Sequence, residues 1–75
     1  MLKLKFWVEI APQLSGYQVS IKKETATEMK KEVQSLQCGY DGYGIDPFSY
    51  ELEKDGKIIC EGTYKIIIEK LNSME

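Results

Sequence analysis

Leu2, Leu4, Phe6, Val8 and Ile10 alternate with Lys3, Lys5, Trp7, Glu9 and Ala11. That two-residue period is the signature of a strand with one buried face, since successive strand side chains point to opposite sides of a sheet. It sets the frame for everything downstream, because a strand buried on one side needs both pairing strands and a covering layer. Ala11 to Gly16 (APQLSG) supplies proline, serine and glycine for a connection. Tyr17, Val19 and Ile21 then resume the alternation, so residues 2–22 read as an antiparallel hairpin.

Thr25 is followed three residues later by Glu28, the spacing of a capping box that satisfies two otherwise unpaired amides at a helix start. Ala26, Met29, Val33 and Leu36 follow at intervals that put them on one helical face, and Gly39 stands where a left-handed C-terminal cap belongs. Residues 38–47, CGYDGYGIDP, break every periodicity and read as a loop of about ten residues, longer than the usual connection. Phe48, Tyr50 and Leu52 alternate again and turn at Lys54-Asp55-Gly56-Lys57 into Ile58, Ile59, Cys60 and Glu61. A type I turn with a glycine bulge would put Ile58 and Cys60 on the face of Leu52, pair Glu53 with Lys57 and leave Ile59 pointing away from the helices. Thr63 caps a second helix whose apolar positions are Tyr64, Ile67, Ile68 and Leu71.

The expected architecture is therefore α+β: a single two-layer ββαββα domain over residues 1–75, with a four-stranded antiparallel sheet and two helices on one face. Repetition of the hairpin-helix unit looks like a weak internal duplication of about 35 residues. The length allows one core, because a chain this small buries only about 60% of its unfolded surface.

Composition narrows the chemistry. The ten basic residues are all lysine, and the chain has neither arginine nor histidine. Imidazole general bases, triads and histidine metal ligands are thereby excluded, as is bidentate guanidinium recognition of phosphate. Cys38 and Cys60 form neither a CxxC pair nor a set of four zinc ligands. They are expected as reduced thiols, because no secretory leader is evident at the N-terminus and disulfides belong to oxidising compartments. A cytoplasmic setting without a membrane span is expected. Asp41 and Asp46 lack the ligand number and spacing of a calcium loop, and the glycines of Gly39–Gly44 precede a strand rather than the helix a phosphate cradle requires. No catalytic residues, metal, cofactor or small-molecule substrate are therefore expected.

What remains is recognition. Trp7 and Ile59 are expected on the sheet face left open by the helices, with Lys5 beside Trp7. Tryptophan is enriched among binding hot spots, and the loop carrying Tyr40, Asp41 and Tyr43 joins rigid tyrosine to flexible glycine, a composition of binding loops. The expected function is a small non-catalytic interaction module (adaptor, inhibitor or regulatory subunit) acting on another protein or on a second copy of itself. The alternative is single-stranded nucleic-acid binding through Trp7 and the N-terminal lysines. A pI near 5.1 disfavours it, as do the glutamates Glu51, Glu53 and Glu61 expected on the same face. Residues 1–37 carry a net +2 and residues 38–75 a net −4, so the charge is divided along the chain.

Overall fold

The computed structural model describes residues 1–11 and 15–74; Pro12, Gln13 and Leu14 of the expected first connection, and Glu75, lie outside the described residues. Its elements are β1 (Leu2–Ala11), β2 (Ser15–Lys23), α1 (Ala26–Ser35), a 3₁₀ turn (Leu36–Cys38), β3 (Gly44–Ile45), β4 (Tyr50–Lys54), β5 (Lys57–Gly62) and α2 (Tyr64–Met74). The sheet runs β2-β1-β4-β5, antiparallel throughout, with the two-residue β3 added to β1 beyond the start of β4. The order is α+β as the periodicities imply, and the two hairpins join through their first strands, β1 and β4.

Alternation in β1 does what its chemistry requires. Leu2, Leu4, Phe6 and Val8 are buried under the helices, where Met29, Val33 and Leu36 from the first helical segment and Ile67 and Leu71 from α2 meet them. Tyr50 and Leu52 complete the layer from β4. Thr25 caps α1 by accepting a hydrogen bond from the Glu28 amide at 3.2 Å, while its hydroxyl donates to the Glu28 carboxylate at 3.0 Å. Thr63 Oγ1 likewise accepts from the Ile66 amide at 3.4 Å at the start of α2. The helical segment ends through the 3₁₀ turn, and Gly39 (φ 95°, ψ −171°) leaves it in a conformation other than the expected left-handed cap.

Three expectations give way to local geometry. Ile10 is 44% exposed, because the β1–β2 register shifts between Glu9 and Ala11 and the alternation stops at Val8. Phe48 is 76% exposed, because β4 begins only at Tyr50 and Phe48 sits in the turn before it. In the second hairpin, Asp55 and Gly56 both take positive φ (51° and 88°) as the central pair of a two-residue turn, so Lys54 pairs with Lys57 and Glu53 with Ile58. The bulge comes one step later, where Leu52 faces Cys60. Ile59 therefore packs against the core, and Ile58, 51% exposed, takes the open-face position.

Residues 38–47 are not an irregular loop. Tyr40 and Tyr43 exchange both backbone hydrogen bonds, at 2.8 and 2.9 Å, around Asp41 (φ 52°) and Gly42 (φ 83°). This miniature hairpin leads directly into β3, which pairs Ile45 with Val8 and Gly44 with Glu9.

Candidate interaction surface

The sheet face away from the helices is built in cross-strand rows. Gln18 and Trp7 form one row; Ser20, Lys5, Glu51 and Glu61 the next; Lys22, Lys3, Glu53 and Ile58 the third. Direct opposition of Lys3 and Lys22 is unfavourable in isolation, and Glu53 on the other side of Lys3 offsets it.

Lys5 Nζ lies 2.8 Å from Glu53 Oε2, diagonally across the β1–β4 seam. The hydrogen bond to Lys5 and the lysine charge hold the Glu53 carboxyl below its ordinary range, and the same contact raises the Lys5 ammonium above its own. Lys5, expected beside Trp7 as a contact residue, is thus engaged within the face. Lys3 and Trp7 are four residues apart on one strand, about 13 Å.

Trp7 is 41% exposed and is fixed from two sides. Its indole lies against Gly16 of β2, whose missing side chain leaves the space the ring occupies; a Cβ there would come within 2.7 Å of the indole Cε2 and 2.5 Å of the Val8 carbonyl oxygen. On the other side its backbone is bonded to the turn that precedes β4. The Trp7 amide donates to Ser49 Oγ at 2.9 Å, and the Trp7 carbonyl accepts from the Asp46 amide at 2.9 Å.

That turn is itself tied down. Asp46 Oδ1 accepts from the Phe48 amide at 3.0 Å, and the Asp46 carbonyl accepts from the Ser49 hydroxyl at 2.8 Å and the Ser49 amide at 3.2 Å. Phe48 is carried into solvent on a pinned turn whose two flanking residues both hold the Trp7 backbone. The Asp46-Pro47 pair, a turn-initiating signal, was the trace of this arrangement in the sequence.

The tyrosine loop divides. Tyr40 packs edge-on against Phe6 with ring centroids 5.6 Å apart, so it serves the core, whereas Tyr43 is 40% exposed. Asp41 is exposed at the tip between them. Burial raises the Tyr17 hydroxyl pKa, and the Asp41 carboxylate adds to the shift. Continuing the β1–β3 register past Glu9 and Gly44 brings Ile10 and Tyr43 to neighbouring positions.

Trp7, Tyr43, Asp41, Phe48 and Ile10 thus lie toward one end of the sheet, with Trp7 on the open face and Tyr43 and Ile10, which share the parity of Val8 and Ile45, on the helix side. Ile59 and Tyr40 lie with the core, and Ile58 and Lys5 lie in other rows.

Charge follows the same axis. In the sheet and its connections the Trp7 end carries Glu9, Asp41 and Asp46, and there is no lysine in residues 6–21 or 38–53. Lys3, Lys22, Lys23, Lys54 and Lys57 lie at the opposite end, where Met1, Lys3, Lys22, Glu53, Asp55 and Gly56 line a shallow recess of about 240 Å³. The division by ends of the sheet is not the division by chain halves seen in the sequence, since Lys54 and Lys57 of the second half lie at the lysine-bearing end and Glu9 of the first half lies at the other.

Both cysteines are free. Cys38 is exposed, and Cys60 is half-buried with its thiol 3.7 Å from the Ile66 carbonyl and its pKa pushed up by burial. The described residues bring together no group of three or more cysteine, aspartate and glutamate side chains able to hold a metal ion, and no described helix is long and apolar enough to cross a membrane. Comparison with protein-family models, with curated proteins and with solved structures gave no match to this chain.

Proposed function

We propose that the protein is a small, non-catalytic interaction module that engages another protein through the sheet end carrying Trp7. The carrying observation is the fixed, half-exposed indole. Gly16 makes room for it, and the Asp46–Ser49 turn holds its backbone. A large amphipathic ring held in place before contact binds at lower entropic cost than a mobile one, which is why tryptophans of this kind act as hot spots. The protruding Phe48 and half-exposed Tyr43 extend the same end. Binding of single-stranded nucleic acid is the weaker reading: Lys5 is paired with Glu53, and carboxylates rather than lysines surround the aromatic end.

The test compares wild type with Trp7→Ser and Phe48→Ser variants whose circular dichroism and melting remain native-like. Affinity capture from the source cells and sedimentation velocity are the readouts. Loss of a captured protein or of self-association in both variants supports the reading. Unchanged capture and unchanged sedimentation in both overturns it.

A further inference from the structure

The charged rows of the open sheet face are divided by sign across the strands. Lys3, Lys5 and Lys22 stand on β1 and β2, whereas Glu51, Glu53 and Glu61 stand on β4 and β5. Lys5 and Glu53 meet across the seam at 2.8 Å and satisfy one another. The outer charges are placed differently: Lys3 and Lys22 are direct cross-strand partners, and so are Glu51 and Glu61. Like charges directly opposite one another destabilise a strand pair. The face therefore holds a basic pair on one side and an acidic pair on the other, and Lys22 and Glu61, on the two edge strands, are both exposed.

Such a face is complementary to itself. A two-fold axis parallel to the strands, placed over the β1–β4 seam, lays β1 of one copy on β4 of the other and β2 on β5. Within its row Lys3 then faces Glu53 and Lys5 faces Glu51 of the other copy, and Lys22 lies one row from Glu61. Aligned sheets stack about 10 Å apart, a separation that lysine and glutamate side chains bridge together. An axis across the strands would instead set each strand on its own equivalent, basic half on basic half. We infer that the open face is the interface of a two-fold homodimer in which the basic half of each copy covers the acidic half of the other. Trp7 of both copies flanks the axis one row beyond Lys5. This inference rests on the functional reading above and names a second copy as the partner. Four strands about 4.8 Å apart, and the strand length from Lys3 to Glu9, define a face of about 20 Å by 20 Å. That is about half of the roughly 800 Å² each partner gives to a standard interface, so the association is weak and reversible.

The test is sedimentation velocity on the intact chain up to about 1 mM, the range a weak dimer requires, at low and at high salt. The wild type should move from monomer toward dimer as its concentration rises, and less so in high salt. Lys22→Glu and Glu61→Lys should each weaken association about tenfold, because the two-fold axis repeats each charge reversal. Neither should lower Tm, because each replaces a like-charged cross-strand pair with an opposite one. Mixed in equal amounts, the two variants should recover wild-type association, since the reversed charges then face each other. Glu9, two rows beyond Lys5 on β1, has no lysine opposite it, and Glu9→Gln should not weaken the dimer.

A wild type that stays monomeric to about 1 mM, charge-reversed variants that associate as the wild type does, a mixture no stronger than either variant alone, or a dimer weakened by Glu9→Gln overturns the inference. If it falls while Trp7→Ser and Phe48→Ser still abolish capture or self-association, the interaction reading stands with a different partner or arrangement. If those variants are also neutral, both readings fall.

Discussion

The contact between Trp7 and Gly16 sets how firmly the indole is held, and Gly16→Ala probes it directly. A methyl group at residue 16 would meet the Trp7 ring at 2.7 Å or less and the Val8 carbonyl oxygen at 2.5 Å. Both approaches are closer than van der Waals contact allows, so the ring must swing away and the β1–β2 pair must give. Overpacking of this kind costs about 1–3 kcal/mol, and the lower entropy of an unfolded chain with alanine returns about 0.4–1 kcal/mol. The net destabilisation is about 1–2 kcal/mol, which for a domain of this size lowers Tm by about 5–15 °C. Melting by circular dichroism gives the stability change, and Trp7 emission, moving to longer wavelength as the ring leaves its seat, gives the structural one. The two contacts separate in a double-mutant cycle: in a Trp7→Ala background only the Val8 carbonyl remains, so Gly16→Ala should cost less there by at least about 0.5 kcal/mol. A Tm within about 2 °C of wild type together with unchanged emission would refute the reasoning.

Two further outcomes are expected. Leu52→Ala removes a fully buried side chain at the seam between the hairpins and should cost about 2–5 kcal/mol, against a total of about 4–11 kcal/mol for a chain of this length. A urea midpoint that falls by less than a tenth would contradict the placement of Leu52 in the core. For Glu53, the folded-state pKa lies below the ordinary 4.5 because Lys5 donates to the carboxylate, so the pair stabilises the fold fully above that pH and loses its effect as pH falls through the lowered value. Glu53→Gln should therefore flatten the acid limb of a stability profile measured by urea denaturation, and an acid limb as steep as wild type would show that the pair does not couple to folding.

Where one physical pattern dominated, the sequence was readable. The alternation of β1 located the sheet face, and Thr25 with Glu28 located a helix start, because each is a local rule with little competition. Failures occurred where two local rules overlapped. At residues 54–60 a two-residue Asp-Gly turn and a bulge both occur, one step apart, and Ile58 and Ile59 exchanged the faces expected for them. Tyr40-Asp41-Gly42-Tyr43 carries the same Asp-Gly signal, yet a run of glycines masked it and the segment read as an open loop. Phe48 kept the spacing of a strand residue although the Asp46 side chain had already closed a turn around its amide. Trp7 was found on its strand parity alone, whereas its support from Gly16 depends on register between two strands and no single segment encodes it.

The strand order β2-β1-β4-β5 places each hairpin on its own side of a single seam, where Leu2–Lys5 meet Glu51–Lys54 and β3 adds two more pairs. Nearly all remaining strand pairing is local to one half of the chain. Such a layout favours complementation: a chain cut at the Asp41-Gly42 tip yields two fragments, each holding one hairpin and one helix, with a joint formed by main-chain ladders and a shared apolar layer. The same joint can close between molecules as well as within one, so exchange of halves is the misassembly to which this topology is most open.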